Sequence, residues 1–184
     1  MMATRKLSVV VAAALAAVLA GAIVARAAGP FKGHADLGGY QEVPTLSTPA
    51  TGTLDVEISK NDNSLAYTLS YQGIRTNVLF AHIHIGRPAV NGGVMVFLCT
   101  NGAPPAGVPV PPPCPQGGGT VSGELTAADV LAVGASGVAA GDFDAFIDAL
   151  RAEAGYANLH SATFTGGEIR GQVTFSRADS INDN

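Results

Sequence analysis

Polar and apolar residues alternate with a period of two over several short stretches of this chain, as half-buried strands require. Leu54, Val56 and Ile58 share one face, with Asp55 and Glu57 on the other. Leu65, Tyr67, Leu69 and Tyr71 then alternate with Ala66, Thr68 and Ser70. Between the runs, Lys60-Asn61-Asp62-Asn63 is turn chemistry, because Asn and Asp tolerate left-handed backbone and bond their own chain. The two runs predict a β-hairpin. Further strands are predicted over residues 78–85, 94–99, 120–125, 156–161 and 169–175. The nearly unbroken apolar run 94–99 predicts a strand covered on both faces.

Two helical pieces interrupt this pattern. Thr126 is placed as an N-cap, with Asp129 in the first turn. Asp142 caps a second helix, whose Phe143, Phe146, Ile147 and Leu150 fall at i, i+3, i+4 and i+7 as one apolar stripe, with Gly155 as its end. About seven or eight short strands with a short helical insertion predict an all-β domain. The expected architecture is a β-sandwich, immunoglobulin-like or superoxide-dismutase-like.

Composition agrees: of 184 residues, 23 are Gly and 11 Pro, and only 13% are charged, which argues against long charged helices. Residues 1–27 read as a signal peptide, with Arg5 and Lys6, then an uncharged apolar run, then Ala25-Arg26-Ala27 as a small-x-small cleavage site. The mature domain is expected over residues 28–176, followed by a polar tail at 177–184. An uncleaved anchor is the competing reading of the apolar run.

Beyond residue 27, seven basic residues face fourteen acidic ones, a net charge near −7. Nucleic acid and anionic membrane surfaces are therefore poor partners. An exported protein, periplasmic or secreted, with an extracellular or cell-envelope protein as partner is the expectation. Cys99 and Cys114 are the two cysteines, and a lone pair in an oxidising compartment is expected to form a disulfide across the Pro-rich loop between them.

Candidate chemistry centres on Ala81-His82-Ile83-His84-Ile85. On a strand, His82 and His84 point to the same face, as a transition metal requires. His160 is the candidate third ligand, and His34 is the remaining histidine. Plain packing of hydrogen-bonded rings on a strand is the alternative. No nucleophile elbow, P-loop or dinucleotide fingerprint is present.

Three segments resemble the CHRD domain, named after chordin. They are Leu37-Gly38-Gly39-Tyr40-Gln41-Glu42-Val43-Pro44, Ala81-His82-Ile83-His84-Ile85-Gly86, and Asn158-Leu159-His160 with Gly167-Glu168-Ile169-Arg170-Gly171-Gln172. The resemblance implies a β-sandwich. The order of the paired histidines, the later histidine and Gly166-Gly167-Glu168-Ile169-Arg170-Gly171 is also similar to copper–zinc superoxide dismutase. That likeness implies one copper ion at His82, His84 and His160, with Arg170 as an anion guide. No histidine lies between Gly86 and Asn158, so the zinc half has no counterpart. Three functions follow: a non-enzymatic binding module holding copper, a copper-only dismutase-like enzyme, or a structural or adhesion module without metal.

Overall fold

The computed structural model describes residues 31–104 and 106–175. The signal-peptide and tail assignments lie outside the described residues. Among the described residues, no helix is long and apolar enough to cross a membrane.

Among the described residues, nine strands form one antiparallel system. They are β1 (Phe31–Gly38), β2 (Thr51–Ile58), β3 (Leu65–Gln72), β4 (Val78–Ile85), β5 (Val94–Thr100), β6 (Gly119–Leu125), β7 (Gly155–Ser161), β8 (Ile169–Gln172) and β9 (Thr174–Phe175). Their order is β5-β4-β7-β8-β1-β2-β3-β6, with β9 beside β1. The predicted hairpin is β2–β3, paired from Ile58↔Leu65 to Thr51↔Gln72. Asp62 takes the left-handed conformation in its turn. Strand β7 returns beside β4 after β5 and β6, a Greek-key connection.

The two ends of this path, β5 and β6, come into contact and nearly close the sheet on itself. Side chains and a loop span the remaining gap. The Tyr67 hydroxyl donates to the Leu98 carbonyl at 2.6 Å, and the Tyr71 hydroxyl to the Pro115 carbonyl. The Thr100 N–H bonds the Pro112 carbonyl. The Cys99–Cys114 disulfide ties the Pro-rich loop to β5. Inside lie Leu54, Ile58, Leu65, Leu69, Ile83 and Leu98. Helix α1 (Phe143–Arg151) adds Phe143, Phe146, Ile147 and Leu150, as its stripe predicts.

The structure corrects four local expectations. Strand β1 was not among the predicted strands: two of its three inward residues are Gly33 and Ala35, too small to mark a hydrophobic face. A Cβ on Gly33 would lie 2.8 Å from both the Phe175 ring and Val56. Strand β5 is not an interior strand covered on both faces. Register shifts beside Ala81/His82 and Ile83/His84 mark β-bulges in its pairing. They turn consecutive residues inward, so Met95, Val96, Leu98 and Cys99 are buried while Val94 and Phe97 are partly exposed.

The predicted helix after Thr126 is only a 3-10 turn, Ala127–Asp129, with a capping box. Buried Val130 takes extended backbone and stops it. Helix α1 ends at Arg151, and left-handed Glu153, not Gly155, reverses the chain. Gly155 already belongs to β7, where a Cβ would collide with Leu150.

The Cys99–Cys114 pair closes a loop with a sequence separation of 15, for which chain entropy gives a stabilisation of about 3 kcal/mol. The Cys99→Ser/Cys114→Ser variant is expected to lose about that much in urea unfolding. A loss below about 1 kcal/mol would mean that the loop is ordered without its cross-link.

Candidate metal centre

Strand β4 positions two of the site's side chains. Ala81 and Ile83 enter the core, so His82 and His84 project from the outer face. On neighbouring β7, His84 lies opposite Tyr156, His82 opposite Asn158, and Phe80 opposite His160. His160 therefore stands diagonal to His82. One ligand nitrogen from each histidine lies within 4.8 Å of the others. Nitrogens about 2 Å from one ion lie about 3.3–3.5 Å apart, so small ring rotations close the set.

This outer face is buried, unlike that of an ordinary half-solvated antiparallel sheet. Every residue of β7 is buried. The covering loops also orient the rings. His84 Nδ1 bonds the Gly92 carbonyl at 3.0 Å, and His160 Nδ1 bonds the Thr165 carbonyl at 3.0 Å. A carbonyl only accepts, so each Nδ1 carries the proton and each Nε2 a lone pair. Both Nε2 atoms are buried without a partner among the described residues. His82 goes further, with neither ring nitrogen partnered. Its ring sits 4.7 Å from Phe80, stacked, and 4.1 Å from Phe97, edge-on. Backbone acceptors behind histidines are the usual outer shell of a metal site.

Burial holds the three imidazoles neutral, the form that binds a metal. It pushes His82 down to about 2, with the neighbouring His160 and His84 adding to the effect. His84 falls to about 4, again through burial, with the Gly92 carbonyl opposing. His160 is lowered by burial, against the pull of the Thr165 carbonyl. The donor set therefore fits a transition metal: three neutral imidazoles, preoriented, with unpartnered lone pairs.

Arg170, on β8, is 2% exposed. Its guanidinium lies 3.5 Å from the Tyr156 ring centroid, and Tyr156 in turn stacks on His84 at 4.8 Å. Its N–H groups bond the Arg87 and Val90 carbonyls and the Asn91 side chain. Arg170 is thus a clamp on the loop that supplies the Gly92 carbonyl. Nothing in this placement favours the anion-guide role. Glu42 accepts from Asn158 at 2.6 Å, and Glu168 from Thr48 at 2.9 Å. Burial raises the Glu42 pKa, with Asn158 and Arg170 opposing. His34 stays apart, exposed on β1 and 2.7 Å from Asp55. A surface groove lies elsewhere, along Asp36, Thr51, Thr53, Ser70 and Thr120.

Sequence reasoning placed the three histidines but missed Gly92 and Thr165, whose backbone carbonyls carry their contribution. A signal for Gly92 lay in its Asn91-Gly92-Gly93 turn: a Cβ there would collide with the Ile85 carbonyl.

The neutral histidines make stability depend on pH. Unfolded, they titrate near 6.5, so protonation below that pH favours the unfolded chain. Their contribution is present above pH 6.5 and drains away toward about 4 for His84 and about 2 for His82. Each removes up to about 1.4 kcal/mol per pH unit in its window. Glu42 runs the other way: with its pKa raised above 4.5, its contribution is complete below that value and lost as pH rises. Metal-free urea midpoints should fall from pH 7 to 5. A flat profile would show that the imidazoles are hydrated.

Comparison with known proteins adds one match. The CHRD domain family matches residues 34–173, from β1 to the residue before β9. No curated protein and no solved structure matches the chain, superoxide dismutases included. The match spans most of the chain and takes in all three histidines with their covering loops, and the chain belongs to the CHRD domain family.

Proposed function

We propose that this chain is an exported, non-enzymatic binding module that holds one copper ion through His82, His84 and His160. One observation carries the reading. Three buried imidazoles converge, and four of their ring nitrogens, both of His82 among them, have no partner among the described residues. Unpartnered buried polar atoms cost about 1–3 kcal/mol each, and an ion that takes up the lone pairs offsets that cost. Imidazole donors suit copper. CHRD membership and the Cys99–Cys114 bond are compatible with an extracellular or periplasmic protein.

The dismutase-like reading gains no support from the site. The ligand nitrogens are sealed from solvent, and the Arg170 donors are engaged with a loop. A binding role needs neither an open metal position nor a charged entry path.

Copper content per chain, measured after loading with and without ascorbate and then desalting, is expected to be one. It should fall to near zero in His82→Ala/His84→Ala. Unchanged uptake in that variant would refute the site assignment. Stability separates this reading from a packed, metal-free one. Metal-free His82→Leu should be about 1–2 kcal/mol more stable than the parent, because it removes two orphaned nitrogens. A structural histidine would give a loss instead.

A further inference from the structure

Resting on that reading, we infer that the centre is built for monovalent copper, Cu(I), and against divalent ions. Charge is the first argument. All three donors are neutral, and no carboxylate or thiolate joins their group among the described residues. Among the described residues, the other buried charged groups on this side of the molecule are Arg170, Glu42 and Glu168. With both acids ionised, these sum to one negative charge, which a monovalent ion neutralises. With Glu42 protonated they sum to zero, and the monovalent ion leaves one charge where a divalent ion leaves two. Either way the buried residual charge is smaller with Cu(I), and uncompensated buried charge is costly. The Arg170–Tyr156–His84 stack also sets a guanidinium one ring away from a ligand.

Coordination is the second argument. Two strands supply three donors, and no fourth histidine comes near, because His34 is held at the surface by Asp55. Cu(II) favours a tetragonal set, and zinc with three protein ligands completes its shell with water. Closed-shell Cu(I) has no such demand and accepts three donors. The walls suit that count. Phe80 and Phe97 pack on His82, Phe80 also lies 4.8 Å from His160, and the free nitrogens are out of solvent's reach.

The test is a set of titrations on the disulfide-bonded protein. Cu(I) is titrated without oxygen against bicinchoninate, and Cu(II) and Zn(II) against chelators of known affinity. The expected result is one Cu(I) per chain, bound at least about a hundredfold more tightly than Cu(II) or Zn(II). A hundredfold preference over Cu(II) raises the one-electron potential of the bound ion by about 120 mV over the free couple. X-ray absorption of the Cu(I)-loaded parent should show three nitrogen neighbours and no fourth donor, and this readout needs no variant to fold. His82→Ala/His84→Ala/His160→Ala should lose the Cu(I) uptake. Cu(II) or Zn(II) bound as tightly as Cu(I), and lost in that variant, would overturn the oxidation-state inference and leave the metal site standing. No uptake of any of the three ions would overturn both.

Discussion

The outer face of β4, β7 and β8 is polar and yet shut off from water, and the architecture of this half follows from that. A buried donor or acceptor left alone costs more than a made hydrogen bond returns. The loops over this face therefore turn their carbonyls down toward it. Arg87, Val90 and Gly92 serve Arg170 and His84, and Thr165 serves His160. Gln172 ties Gly86, Glu153 and Gly155 together in the same way. These bonds tie the loops to the face they cover. The polar residues act as a second core, held by direction instead of by area.

Within that network the unsatisfied atoms are concentrated. Among the described residues, six buried side-chain atoms lack a partner, and four of them belong to the three clustered histidines. The other two, Glu168 Oε2 and Gln172 Oε1, sit on side chains whose second polar atom is bonded. His82 is the extreme case, a ring between two phenylalanines with nothing to bond. Stability alone would place an apolar residue there. The conflict between that position and its residue is the kind expected where function overrides local consistency.

Much of this could be read from the chain. Alternation exposed the β2–β3 hairpin and put His82 and His84 on one face. The stripe Phe143-Phe146-Ile147-Leu150 gave α1, and the lone cysteine pair gave its bond. Other features left no trace, for physical reasons. The burial of the face that carries His82, Asn158 and Arg170 left none, because period two reports which face a residue takes and not what covers it. Backbone carbonyls at Gly92 and Thr165 exist at every position, so residue type does not reveal their role. β1 hid because close approach of Phe175 requires Gly33, which erases the hydrophobic signal. The apolar run of β5 came from bulges, and an extra residue in a strand cannot be told from a covered face without its partner.

Those bulges connect the two halves of the molecule. β5 is an end strand of the sheet path, and it carries Phe97 opposite His82 and Cys99 opposite Ala81. Without the register shift between these pairs, Phe97 could not stand against His82 while Leu98 and Cys99 both turn inward. The disulfide then holds the inward side of the strand to the Pro-rich loop, where Tyr67 also bonds the Leu98 carbonyl. The wall of the histidine pocket is thus positioned from behind, through residues that touch none of the three imidazoles. An end strand is ordinarily the most mobile part of a sheet, with one ladder instead of two. Here the covalent link and the Tyr67 bond stand in for the missing ladder, and they do so at the strand that carries Phe97 against His82.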